Sequence, residues 1–311
     1  MSEKKKKSIQ TSFEDLKKKL DKKDDKEIEK KMENNIINLP LFDVAETPFY
    51  SQDYIEKKAL FLPNSSRVNS CVVAKNENLT ITMGKAGGKE EFGVLKTRHR
   101  DALYSILAIW AENNWTVGTN ENGVKCGIIK TSRFRILSNM YSKAPCRKDY
   151  ITLADSLHSL RAIPIELETL EEGDKKKEVF YIFSDYTLDE KKGHEEVVVF
   201  LNPKITKQYY KQEGLKLLFL STYKSLSSDI AKTLYPIIDR VLSTKGIFKK
   251  NVVDLCNQNG LTIYRNNSDY RNKWKKAINE LSGITLTNKM KVSVEFYENE
   301  NKELILLAKP H

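Results

Sequence analysis

The sequence predicts an α+β protein whose two halves share one order of elements, and three observations carry the prediction. Apolar residues recur at helical spacing in two sets of three segments, and each set is followed by short runs that alternate like strands. Positive charge collects at the same point of each half. There are 11 Lys and Arg against 5 acids from Lys96 to Arg161, and 8 against 2 from Lys245 to Lys276. Between them the balance reverses, with 5 against 11 from Ala162 to Pro203. At 311 residues the chain is long enough for two cores, and 40% hydrophobic residues with 9% aromatics is a folding composition.

Taken in order, residues 1–36 read as a basic, largely disordered tail or a frayed helix. Ser12 and Asp15 form a capping pair, and Phe13, Leu16 and Leu20 share a face, but the stripe lapses between Asp21 and Glu27. The 12 basic residues of the tail meet 9 acids, so little net attraction to a polyanion is left. Residues 37–96 read as an arm. Pro40, Pro48 and Pro63 interrupt Leu39 to Asn69, while Cys71 to Ala74 and Leu79 to Met83 alternate as a small hairpin ended by Gly84, Gly87 and Gly88.

The first domain is expected over residues 97–213. It opens with a helix from Thr97 to about Asn113, whose apolar stripe is Leu103, Ile106, Leu107 and Trp110. A turn at Gly118 to Gly123 leads to a short strand, Val124 to Ile129. Thr131 or Ser132 caps a second helix carrying Phe134, Leu137 and Met140, and Ala144-Pro145 stops it. A third helix, Arg147 to Arg161, buries Tyr150, Leu153, Leu157 and Leu160. Three strand-like runs follow: Ile163 to Leu170, Glu178 to Tyr186, and Glu196 to Leu201.

The second domain is expected over residues 214–311. A helix from Ser228 to Thr244 carries Ile230, Leu234, Ile238 and Val241, with Pro236 predicting a kink or a break. Gly246 to Phe248 supplies a short strand. Asn251 to Asn259 forms a second helix stopped by Gly260. Ser268 caps a third, Asp269 to Leu281, with Tyr270, Trp274, Ala277, Ile278 and Leu281 inward. Ile284 to Tyr297 and Leu304 to Ala308 close the half as a hairpin. Helix, short strand, helix, turn, helix, hairpin is the order of a winged helix-turn-helix. It is present twice, in architecture rather than in sequence.

A net charge of +11 and a pI of about 9.2 favour a polyanionic partner without choosing between nucleic acid and membrane. No apolar run approaches the roughly 20 residues of a membrane span, and no apolar segment follows Lys4 to Lys7 as a secretory signal requires. Cys71, Cys126, Cys146 and Cys256 show neither disulfide nor zinc spacing, which points to a reduced, cytoplasmic protein. Gly84 to Glu90 resembles a phosphate loop only loosely, because Glu90 stands where a metal-binding hydroxyl belongs. His99, His158, His194 and His311 are isolated, and no nucleophile or metal motif is present. No cofactor and no catalysis are expected.

In helix-turn-helix proteins the last helix of the three enters the major groove, its N-terminal residues nearest the base edges. Removing the buried stripe from the second domain's third helix leaves Arg271, Asn272, Lys275, Lys276 and Asn279. Arg pairs with guanine and Asn with adenine through two hydrogen bonds each, whereas Lys275 and Lys276 suit phosphates. Arg265, Asn266 and Asn267 lie just before, within reach of the backbone. The first domain's third helix leaves Arg147, Lys148, Thr152, Ser156 and Ser159, its charge at the helix start where the dipole also favours phosphate. Arg133 and Arg135, on the preceding helix, are further candidates for backbone contact. Trp110, Tyr270 and Trp274 fall on apolar stripes and read as core.

The stretches RHRDALYSILAIWAENNW, IIKTSRFRILSNMYS and RKDYITLADSLHSLRAIPIEL in the first half resemble the tandem winged-helix replication initiators of theta-replicating plasmids, the RepA/TrfA-like type. LSSDIAKTLYPIIDRVLS, VVDLCNQNG and SDYRNKWKKAINELSGI do so in the second. The resemblance covers the chain from Thr97 to its end. It implies sequence-specific binding of double-stranded DNA at repeated origin sites, recruitment of host replication proteins, and a first domain used partly as a homodimer interface. The acidic stretch Ala162 to Pro203 would then face protein rather than phosphate. A transcription regulator of similar fold and a non-catalytic interaction scaffold are the alternatives, and steeply salt-dependent binding separates the scaffold from the other two.

Overall fold

Sixteen residues from Thr97 to Glu112 form a helix, α1, that is buried on every side along most of its length. The computed structural model describes residues 36–40, 56–57, 59–75, 79–86, 91–120, 122–141, 143–171, 174–191, 194–211 and 215–311. Residues 1–35 of the expected tail, the segment 41–55 of the arm and Gly87 to Glu90 lie outside them, while Ile36 opens a strand. The predicted stripe of α1, Leu103, Ile106, Leu107 and Trp110, enters one core. Its opposite face, Tyr104 and Ala108, enters a second. One helix thus serves two cores, which an amphipathic reading could not anticipate, because amphipathicity assumes one wet face.

Strands β1 (Ile36–Pro40), β2 (Glu56–Lys57), β3 (Cys71–Lys75) and β4 (Leu79–Met83) precede α1. After it come β5 (Val117–Thr119), β6 (Lys125–Ser132), α2 (Arg133–Met140) and α3 (Arg147–Ala162). Strands β7 (Ile165–Glu171), β8 (Asp174–Phe180), β9 (Phe183–Lys191) and β10 (His194–Leu201) follow. The predicted run Glu178 to Tyr186 is broken at Tyr181. Ile182 and Phe183 are both fully buried, and consecutive residues of one strand cannot share a face. The chain passes there from one sheet to another. Strands β7 and β8 complete the five-stranded order β2-β3-β4-β7-β8, while β9 and β10 complete β5-β6-β10-β9. The hairpin expected in an arm, β3–β4, is therefore central to a sheet, with Ile81 opposite Leu167 and Met83 opposite Ile165.

The chain continues through α4 (Pro203–Lys211), β11 (Leu215–Phe219) and α5 (Leu220–Ser225), none of which was anticipated. Strand β11 pairs antiparallel with β1. Then come α6 (Asp229–Lys245), β12 (Phe248–Asn251), α7 (Val252–Asn259), α8 (Asn267–Leu281), β13 (Val292–Glu298) and β14 (Leu304–Pro310), with sheet order β12-β14-β13. The fold is α+β, with eight helices among the described residues and every strand pairing antiparallel. None of those helices is long and apolar enough to cross a membrane.

Four expectations are corrected. Phe134 is 57% exposed; Ile136, Leu137 and Met140 are the buried face of α2. Ser156 is fully buried, its hydroxyl donating to the Thr152 carbonyl, so it does not belong to the outer face of α3. Pro236 does not break α6, because residues 231–239 are buried throughout and packing outweighs the lost hydrogen bond. The cap of α8 is Asn266 rather than Ser268.

The two cores are tied together at two places. Residues 59–64 form a strap: Ala59 N–H donates to the Gln258 carbonyl at 2.6 Å, Leu62 exchanges backbone bonds with Leu95 and Thr97, and Asn64 bridges Asp229 and the Arg98 N–H. Beside it lies a buried ionic cluster. Asp101 of α1 accepts from Lys232 of α6 at 2.7 Å and from the Tyr223 hydroxyl at 2.7 Å, and Arg100 Nε donates to that same hydroxyl at 3.0 Å.

His99, in the first turn of α1, accepts the Lys96 N–H through Nδ1 and is 2% exposed. Burial, with the positive charges of Arg98 and Lys96, lowers its pKa to about 3. The unfolded chain, with His near its ordinary 6.5, binds the proton first, so the contribution of His99 is complete above that pH and declines as pH falls toward 3. Unfolding free energy is expected to drop by up to about 1.4 kcal/mol per pH unit below 6.5. Urea titrations at pH 7.0, 6.0 and 5.0, above the range of most carboxylates, check this. A His99→Gln chain should lose that slope.

Candidate nucleic-acid interface

Helix α8 begins where the Asn266 side chain accepts the Asp269 N–H at 2.9 Å, and Asp269 places a negative charge against the helix dipole. Tyr270, Trp274, Ala277 and Leu281, spaced four, three and four apart, form its buried stripe. The aromatic members lock together. Trp274 meets Tyr270 edge-on at 6.2 Å and Phe296 of β13 at 5.9 Å, and Tyr270 meets Tyr264 at 5.1 Å. The Tyr270 hydroxyl also accepts the Tyr264 N–H, which pins the turn leading into the helix.

With that side fixed in the core, Arg271, Asn272, Lys275, Lys276 and Asn279 are all exposed on the other. Arg271 and Lys275 stand one turn apart, as do Asn272 and Lys276. Asn272, Lys275, Lys276, Asn279 and Glu280 line a shallow groove of about 550 Å³. Burial opposes ionisation of Glu280, but bonds from the Ser227 hydroxyl and the Ser228 and Ser227 N–H groups outweigh it and hold its carboxyl below the usual range. Glu280 thereby anchors the start of α6, and Lys276 lies 3.9 Å from it. Arg265 is exposed. Asn266 has its carbonyl oxygen committed to the cap, and Asn267 Nδ2 donates to the Lys302 carbonyl in the β13–β14 turn. Lys273, which the stripe argument passed over, is exposed on the flank of the helix.

The first half's candidates are placed differently. Arg147 and Lys148 are exposed at the start of α3, but Asp149 closes a capping box there, its carboxylate accepting the Cys146 N–H at 2.8 Å. The positive end of that dipole is already answered. The Thr152 hydroxyl donates to the Lys148 carbonyl. Arg133 is 14% exposed, paired with Glu195 at 2.8 Å and lying 5.5 Å over the Tyr150 ring. Arg135 pairs with Glu112 but remains half exposed. Phe134 and Ile151, each 57% exposed, put apolar surface on α2 and α3. The structure therefore brings Arg271, Asn272, Lys275, Lys276 and Asn279 together on one open face, where Arg271 pairs with Glu298 of β13, and couples Arg133 and Arg135 to acids as well.

Neither a protein-family model nor a curated protein sequence matches the chain. Among solved structures it resembles domains 2 and 3 of RctB, with a TM-score of 0.56 and 12% sequence identity over 81% of this chain and 94% of that one. The likeness is one of fold.

Proposed function

We propose that the chain is a non-catalytic, sequence-specific binder of duplex DNA that acts in replication initiation, with α8 as its principal reading element. The exposed Arg271, Asn272, Lys275, Lys276 and Asn279 face, on a helix anchored by Trp274 from behind, carries the reading. In this reading α6 to β14 form one winged helix-turn-helix and α1 to the strands after α3 a second. The α1 half contributes backbone contact through Arg147 and Lys148 and protein contact through the apolar surface of Phe134 and Ile151. The fold shared with two domains of RctB, a replication initiator, supports the assignment, as does the resemblance to plasmid initiators with repeated origin sites.

Arg271→Ala is expected to relax base preference and to cost about 1–3 kcal/mol on the preferred duplex. Lys275→Ala is expected to weaken all sequences alike and to reduce the salt slope by about one. Fluorescence anisotropy on preferred and random duplexes across a salt series measures both. Equal, sequence-blind losses from the two substitutions would overturn the reading. Directly repeated sites beside an AT-rich stretch near the gene would support an initiator; a palindromic operator would favour a regulator.

A further inference from the structure

The turn that closes the second half's hairpin is acidic and rigid. Asn299 organises it: its side-chain oxygen accepts the N–H groups of Asn301 and Glu303 at 3.0 and 2.9 Å, and its amide donates to the Glu303 carboxylate at 2.7 Å. The Asn299 N–H bonds to the Glu303 carbonyl, and the Lys302 N–H to that of Asn299. Asn267, at the start of α8, then holds the turn to the helix through the Lys302 carbonyl at 3.1 Å. The result is a fixed distance between hairpin tip and helix, spanned by one ion pair. Arg271 Nη2 lies 3.3 Å from Glu298 Oε1, both side chains a little under half exposed.

We propose that Glu298 is a specificity-setting residue, positioning Arg271 for a base edge and making its neighbourhood hostile to phosphate. The inference rests on α8 being the reading helix. A guanidinium has five donors in a planar fork, so one bond to Glu298 restricts its rotation and leaves donors for a neutral acceptor edge. Guanine presents such an edge; a phosphate brings a negative charge that the Glu298 carboxylate repels. Glu300 and Glu303, against the single positive charge of Lys302, leave the tip net negative, so the hairpin stays off the DNA backbone that a basic wing would grip. Arg271 is thereby withheld from sequence-blind contacts and released to sequence-dependent ones. A like charge about 6 Å from a phosphate in water changes binding by about threefold.

The test uses the full chain, a random-sequence 30-base-pair duplex (the length chosen on the order of three DNA turns), and the best duplex the intact protein selects from a random pool. Glu298→Gln is expected to raise affinity for the random duplex about threefold at low salt, and to lower the ratio of selected to random affinity by more than that factor. Glu300→Gln, an exposed tip acid, is expected to shift both duplexes alike and leave the ratio unchanged. Equal effects of the two substitutions on the ratio, or no effect of Glu298→Gln on it, would overturn the role of Glu298. Arg271→Ala keeps the two claims apart. If it leaves base preference intact, the reading helix itself is wrongly assigned; if it relaxes preference while Glu298→Gln does not, only the positioning role fails.

Discussion

Trp274→Ala is expected to cost about 3–5 kcal/mol of stability, a large share of what a domain of this size commands. Trp274 is fully buried where α8 packs on β13. Tyr270 lies one turn before it on α8, Phe296 faces it from β13, and Tyr264 reaches the group through Tyr270. The cost exceeds lost transfer energy because its neighbours cannot close the gap. Tyr270 is tied through its hydroxyl to the Tyr264 backbone, and β13 is held in register by β14. Urea unfolding followed by circular dichroism measures the loss, and Trp274→Phe should restore much of it. A loss below about 1 kcal/mol would mean that α8 is held by something other than this aromatic group. DNA binding should fall with the folded fraction, whereas Lys275→Ala should weaken binding at unchanged stability.

How much of this was legible in the sequence follows from how local each feature is. The second helix of the second half was read with both ends nearly in place, since Asn251 caps it and Gly260, at φ +62°, ends it in the left-handed region glycine favours. The face of α8 was legible for a related reason: it is what remains once the stripe is removed. Features that depend on distant chain were not. Nothing around Thr97 shows that α1 will be covered on both sides, since the residues that join Tyr104 and Ala108 in the second core lie after position 217. Phe134 looked like core because its spacing to Leu137 fits a stripe, yet Ile136 takes the inward place. The pairing of Arg133 with Glu195 and of Arg271 with Glu298 joins residues 62 and 27 positions apart, and no spacing rule reaches that far. The same limit hid the pairing of β1 with β11, and the strap at residues 59–64, which lies in the proline-interrupted stretch Leu39 to Asn69 that reads as loop.

Asp101→Ala is expected to lower stability by about 3–5 kcal/mol, because it leaves the buried Lys232 ammonium without its carboxylate. Asp101 and Lys232 are each 8% exposed and Arg100 2%, so water cannot replace the lost carboxylate. Tyr223 completes the cluster. Burial holds its phenol well above the usual value, so it stays neutral, donating to Asp101 while accepting from Arg100. Without Asp101, the Lys232 ammonium and the Tyr223 hydroxyl both lose their acceptor in one step. Repairing the charge rather than the contact distinguishes this cause from a simple cavity. Asp101→Asn with Lys232→Met removes one anion and one cation together, leaving the cluster's excess positive charge as it was. That pair is expected to lose much less than the sum of its single substitutions, a coupling of about 1–3 kcal/mol in a double-mutant cycle. Additive losses would mean that the two residues act independently. Coupling carries a structural consequence, because Asp101 rises from the helix shared by both cores and Lys232 from the helix that supports α8. The ionic cluster then joins the half that carries the acidic strands to the half that carries the basic face.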